Sequence, residues 1–527
     1  MSGEDITALE RAIAALPTAY PGPGGAIAVL RRGEVLARHA WGFANAERRI
    51  AFTPRTLFRV CSITKQFACA ALLSACPDPE VLAPALRARL PRLEGAMPGV
   101  AQLCHNQSGL RDYWATAMLL GAGAEDGFGD AEAARMFAAT RSTHFAPGTR
   151  YSYCNQNFRL ISELLEAHAG RDFAALLRRH VFDPAGMESA CLAADTRAMP
   201  DGTEGYEGSV AAGFRPAVNR ILWTGDAGMG ACLDDMIAWE RWIDATREDH
   251  DALYGRLSAP VAFADGAPAS YGFGLDRPRE FGHAMTAHSG ALRGWRSHRL
   301  HLAAARISVV VLFNHMADAQ AAAQGVLGAL LGRARQAADP ALPTPAWTGA
   351  YVEPETGLLA RVEAAAPGEI RLRFSAGPDR LLLAADGTAR SARVALIPDG
   401  DTLLLERAAE NLRTRLVRLE AAPRAHETAV AELAGTYRCA ELDAELAIAD
   451  AGGVAHGAWS GPLGAGRMEQ LAPAGADVWT LPCPRALDFA PPGDWTLAVR
   501  RDAGGRVAGL RVGCWLARGL DYARERV

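Results

Sequence analysis

Lysine is almost absent from this chain. Of its 55 lysine and arginine residues, 54 are arginine and the remaining one is Lys65. An arginine stays charged in any folded protein, whereas an amine can lose its proton when desolvated. One position that does not accept arginine therefore points to a group needed as a base. Other absences narrow the field. A formal charge of −4 and a pI near 6.4, with no stripe of arginines, leave no field for polyanions, so nucleic acid is excluded as a partner. No apolar run approaches the roughly 20 residues needed to cross a bilayer, and Ile307–Phe313, interrupted only by Ser308, reads as a buried strand. The start, Met1-Ser2-Gly3-Glu4-Asp5, is acidic where a secretory signal is basic, and Pro17, Pro21 and Pro23 break the apolar stretch behind it; the expected location is the cytoplasm, with no membrane partner. The ten cysteines include no Cys-x-x-Cys pair and no histidine at zinc spacing, which predicts free thiols and no metal site. Cys61 and Cys154, each beside a candidate catalytic residue, are read as small buried side chains.

What is present is enough for several cores. At 527 residues with half of them hydrophobic, the chain is expected to form three domains. A helix over 6–16 precedes a hairpin with strands at 26–30 and 35–41, whose alternation predicts a sheet with one face buried. Residues 62–76 have helical periodicity and stop at Pro77. After an Ala/Leu-rich helix ending near 335, the connector Pro340-Ala341-Leu342-Pro343-Thr344-Pro345 marks a boundary. Beyond it lie short alternating strands, among them 370–374, 402–406 and 496–500. Trp347-Thr348-Gly349-Ala350-Tyr351 returns as Leu433-Ala434-Gly435-Thr436-Tyr437, offset by 86 residues, too long a period for a solenoid. The predicted domains are therefore 1–335, mixed α and β, then 336–424 and 425–527, two small antiparallel β-barrels.

Three segments carry chemistry. In Cys61-Ser62-Ile63-Thr64-Lys65, a hydroxyl and an amine three residues apart share a helix face, so the amine can take the hydroxyl proton once burial lowers its pKa. The N–H of Ser62 at a helix start faces developing negative charge. In Pro147-Gly148-Thr149-Arg150-Tyr151-Ser152-Tyr153-Cys154-Asn155, Tyr153 is a second base whose phenolate Lys65 would favour. Asn155 can pair with Lys65 and a substrate amide. In Ala287-His288-Ser289-Gly290-Ala291, Gly290 would let a substrate backbone approach, His288 would carry or relay a proton, and the Ala291 N–H would complete an oxyanion hole.

Together, and in this order, these segments resemble the penicillin-recognising serine hydrolases, the group of class C β-lactamases, DD-carboxypeptidases, related esterases and D-aminopeptidases. Phe58-Arg59-Val60-Cys61-Ser62, His105-Asn106-Gln107-Ser108-Gly109-Leu110 and Gly230-Ala231-Cys232-Leu233-Asp234-Asp235-Met236 add to the likeness. The resemblance implies a multidomain α+β protein: a β-lactamase/transpeptidase-like catalytic domain, with an antiparallel sheet flanked by helices plus a helical lobe, followed by the two β-barrels. With a single lysine the chain cannot have Lys-Thr-Gly at the third segment, and His288-Ser289-Gly290 stands there instead. That narrows the resemblance to the bacterial D-aminopeptidases. It implies release of an N-terminal D-residue, D-alanine-like or glycine, from small peptides, amides and esters through an acyl-enzyme, with no metal or organic cofactor. It also implies a homodimer, β-lactams as inhibitors, and a loop of the last domain carrying an aspartate to the substrate amine. Asp488 is chosen for that role over Asp477 and Asp494. The rival expectations are an esterase or DD-peptidase of the same fold and a non-catalytic sensor of D-amino acids or peptidoglycan fragments.

Overall fold

The computed structural model describes residues 3–123, 125–334, 336–374, 378–420, 426–482 and 493–525; Asp488 lies outside them. The expected hairpin is present as strands Gly24–Arg31 and Glu34–Asn45, with Arg32 and Gly33 both at positive φ, as a two-residue turn of this twist requires. Gly24–Arg31 is a central strand, however, and both of its faces are buried. Ile27 and Val29 pack against Leu9 and Ile13 of helix Gly3–Ala19 and Leu327 of helix Ala319–Leu331. Ala26, Ala28 and Leu30 join a larger core containing Phe67, Leu160 and Trp239. Alternation here separates small from branched apolar side chains, not apolar from polar, and this is why one exposed face does not result.

The sheet has eight strands. Its spatial order is Tyr271–Gly272, Leu275–Asp276, Thr286–Leu292, Trp295–Leu302, Ile307–Phe313, Gly24–Arg31, Glu34–Asn45 and Ile50–Ala51. Every residue of Ile307–Phe313 is buried, as the apolar run predicts. The expected helix at 62–76 begins as a 3-10 turn, Cys61–Ile63, and continues as Thr64–Ala75. Thr64 to Leu73 are buried on all sides, which the small Ala and Cys side chains permit. Cys61 has a φ of 54°, a costly conformation for a residue with a Cβ, one step before Ser62.

Beyond 345 the chain is nearly all strand. Eight strands from Gly349–Val352 to Leu412–Arg418 close into a barrel. After helix His426–Leu433, which the sequence did not suggest, ten strands from Gly435–Cys439 to Ala517–Arg524 form a second antiparallel sheet, without a pairing between its ends among the described residues. The repeat extends past its first strand. Tyr351 donates to the Trp347 carbonyl and Tyr437 to that of Leu433, both at 2.6 Å. The guanidinium of Arg418 covers one ring at 5.4 Å and that of Arg524 the other at 5.8 Å, each from the strand that returns to pair with its tyrosine. Both units pack one core together with Ala115, Met118 and Leu119 of the helical lobe.

Candidate active site

Lys65 is fully buried and has three partners. Its Nζ lies 2.8 Å from Asn155 Oδ1, 2.7 Å from the Asp226 carbonyl and 3.0 Å from Ser62 Oγ. The first two are pure acceptors and each takes an N–H. When the amine is neutral, its lone pair is therefore left facing the Ser62 hydroxyl, the one partner able to donate. Burial pulls the Lys65 pKa down to about 8, with the charges of Asp226 and Asp112 opposing part of that shift.

The phenol of Tyr153 is hydrogen-bonded to Ser62, and Lys65 Nζ sits 4.9 Å from its ring centre. Its titration runs opposite to the sequence expectation. Desolvation pushes the phenol well above its ordinary value, and the charges of Asp112 and Asp226 add to the effect of burial. Tyr153 is thus protonated at neutral pH, a hydroxyl that can accept one proton as it donates another. Asn155 is held from behind: its backbone N–H and Nδ2 donate to Asp112 Oδ2 at 2.6 and 2.8 Å, which fixes Oδ1 toward Lys65. The second hydrogen of Nδ2 and the second lone pair of Oδ1 remain for a substrate amide.

The third segment forms strand Thr286–Leu292, with His288 and Ala291 on the cleft wall. His288 is buried beneath Tyr271. Its Nδ1 lies 2.6 Å from the Ser289 carbonyl and must carry hydrogen, so Nε2 accepts from the Tyr271 hydroxyl at 3.0 Å. Burial, with Lys65 adding repulsion, lowers its pKa to about 3. His288 is therefore a neutral brace for Tyr271 and takes up no second proton at physiological pH. Gly290 also has a different task from the one expected. A Cβ there would lie 2.2 Å from both the Val60 carbonyl and Ser297 Oγ, so the missing side chain lets the strand close on the turn before Ser62 and makes no room for substrate.

Sequence reasoning missed Asp112 and Asp226. Asp112 accepts from Trp114 and Ala115 as a helix cap as well as from Asn155; burial pushes its carboxyl up to about 6, with the Asn155 hydrogen bonds opposing. Asp226 holds Lys65 through its carbonyl and the Tyr113 hydroxyl through its carboxylate. Asp112 follows two residues after the His105 to Leu110 stretch, so its place in sequence was a usable signal. Asp226 had none beyond a Gly-Asp pair. Asn106, inside that stretch, braces the tyrosine segment by accepting from Cys154 N–H and Asn157 Nδ2, each at 3.2 Å.

Ser62, Tyr153, Asn155, His288 and Ala291 all line one cavity of about 310 Å³. Arg393 and Glu410 of the closed barrel form part of the same wall. The barrel is pinned there: Tyr151 N–H donates to the Glu410 carbonyl at 3.2 Å, and Asn411 Nδ2 donates to the Thr149 carbonyl at 3.0 Å and to Asp265 at 2.9 Å. Among the described residues, no cluster of three His, Cys, Asp or Glu could hold a metal. No helix among them is long and apolar enough to cross a membrane.

Residues 9–332 match the β-lactamase family, and residues 340–523 match D-aminopeptidase, domain B. A curated D-aminopeptidase of Gluconobacter oxydans (strain 621H) is 56% identical over 99% of this chain and 100% of its own length. One from Brucella melitensis biotype 2 (strain ATCC 23457) is 47% identical, with 99% and 100% covered. The octameric penicillin-binding protein homologue from Pyrococcus abyssi shares the fold with a TM-score of 0.51 at 19% identity, over 78% of this chain and 99% of its own. With its serine–lysine pair set in a β-lactamase-like domain and full-length relatives at this identity, the chain belongs to the D-aminopeptidase family of penicillin-recognising serine hydrolases.

Proposed function

We propose that this protein is a serine aminopeptidase that releases an N-terminal D-residue, D-alanine-like or glycine, from small peptides, amides and esters. The observation that carries the reading is the Lys65 amine, whose two other partners are carbonyl acceptors and whose free lone pair can face only Ser62. Neutral Lys65 takes the Ser62 proton as Oγ bonds to the substrate carbonyl carbon. The oxyanion rests on the N–H groups of Ser62 and Ala291. Tyr153 accepts the proton held by Lys65 while donating its own to the leaving nitrogen, and the C–N bond breaks. Water then attacks the ester, its proton returning through the same pair to Ser62.

The substrate ammonium needs a carboxylate, and we assign Asp488 to it. What supports an outside donor is that the carboxylates on the described cavity wall are already committed. Asp276 pairs with Arg393, and Glu410 takes two bonds from Arg407 at 2.8 and 2.9 Å. The same reading divides the chain at 335 and 424 and takes the protein as a cytoplasmic homodimer inhibited by β-lactams; the free state of the nine described cysteines fits a reducing compartment.

The test is release of p-nitroaniline from D-alanine p-nitroanilide, its L-enantiomer and its N-acetyl form. Release from the D-form alone, lost on acetylation and in Ser62→Ala, is expected. Equal rates for both enantiomers, or indifference to acetylation, would transfer the protein to the esterase or DD-peptidase reading.

A further inference from the structure

Arg393 is a guanidinium from the closed barrel placed on the wall of the catalytic cavity. Strand register places its partner along the cleft. Asp276, its ion-pair partner, lies opposite Ala287 on the neighbouring strand, four residues before Ala291. Four residues of strand are about 13 Å. An aminopeptidase places one residue on the acyl side of the scissile bond, and the ammonium of that residue is two bonds from the reacting carbon. Its anchor must therefore lie within a few ångströms of Ser62, so the far end of the cavity lies beside the leaving group. A cation there, with the third segment lacking a lysine, matches a negative charge on the released fragment.

We propose that Arg393 binds the free C-terminal carboxylate of the leaving group, so that the preferred substrates are D-aminoacyl peptides of two or three residues with an unblocked C-terminus. This rests on the aminopeptidase reading above and narrows its substrate class. Asp276 has the second part. It engages one end of the guanidinium and leaves other N–H donors for the ligand, since the Arg393 side chain lines the cavity and is 46% exposed. Glu410, also on this wall, is bound on both oxygens by Arg407, which it shares with Asp379. The barrel is fixed to the cleft by the Tyr151, Asn411 and Arg393 contacts.

The measurement is the ratio of kcat/KM for D-alanyl-glycine and D-alanyl-glycyl-glycine to that for their C-terminal amides. In the wild type a ratio of about ten or more is expected for at least one length. Arg393→Gln should bring it close to one, Arg393→Lys should keep part of it, and Asp276→Asn, which frees the guanidinium, should raise it. The same ratio read as binding to Ser62→Ala by calorimetry requires no turnover, so it tests the subsite even if the aminopeptidase reading fails; loss of p-nitroanilide release tests that reading alone. A wild-type ratio near one in both assays, or a ratio unchanged in Arg393→Gln, makes the Arg393–Asp276 pair a domain clip only and overturns the proposal.

Discussion

Among the fully buried cations of the described residues, Arg299 and Lys65 meet opposite fates, set by their surroundings. On the sheet between the cleft and helix Leu233–Ala245, Arg299 meets Glu240 in a two-pronged pair at 2.8 Å, with no exposed side-chain surface on either partner. Burial lowers its pKa, but Glu240 and the Tyr254 hydroxyl more than offset that, and the guanidinium stays charged. Lys65 is equally buried but touches no carboxylate: it has two carbonyl oxygens and a hydroxyl. A buried charge given a full partner is structural. A buried amine given only dipoles becomes a base.

The largest test of this contrast removes the amine. Lys65→Arg keeps a cation that cannot deprotonate, and Lys65→Met keeps the bulk. Both should lower kcat/KM on D-alanine p-nitroanilide by about 10³ to 10⁴. Next is the structural cation. Glu240→Gln strands Arg299 and should cost about 3–5 kcal/mol in denaturant melts, with per-molecule activity retained in the fraction that stays folded. Conversion of the pair to two apolar residues should recover most of that loss, which the same replacement at Lys65 could not do for activity.

The smallest test sharpens the contrast by titration. The active amine is the neutral one, so kcat at saturating substrate should climb about tenfold per pH unit up to a midpoint near 8 and level off above it, while kcat/KM turns down again as the substrate's own ammonium, of pKa about 8, is lost. The negative charge of Asp112 stabilises the ammonium of Lys65, and Asp112→Asn should move that midpoint toward acid while lowering the plateau as Asn155 loosens. An unchanged midpoint would mean that the carboxyl at 112 is neutral when the amine titrates.

Local features of the sequence were legible because each depends on neighbours in the chain. Ser62 and Lys65 meet through helix spacing, the hairpin at 24–45 through its turn, and Ile307–Phe313 through its composition. The expectations that failed all depended on surroundings from elsewhere in the fold. Tyr153 was judged by the lysine beside it, whereas desolvation and the distant Asp112 and Asp226 set the direction of its shift. His288 was judged by its ordinary pKa, whereas Tyr271, seventeen residues earlier, occupies its lone pair. Gly290 was given to the substrate because the nearness of Val60 is invisible in one dimension. Arg393 was overlooked for the same reason, since nothing in a β-rich stretch reveals which of its arginines will face a cleft. The two tyrosine clips show the reverse: a faint repeat in sequence proved to include Arg418 and Arg524, whose spacing from their tyrosines differs because strands of unequal number intervene.

The near absence of lysine has one more consequence, and it is spectroscopic. A sample grown on lysine labelled with ¹⁵N at the side chain contains one labelled Nζ, and that atom is bonded to the Ser62 hydroxyl. Every change in its chemical shift, on titration, on binding of a dipeptide or on acylation of the serine, arises at the reaction centre without overlap or assignment.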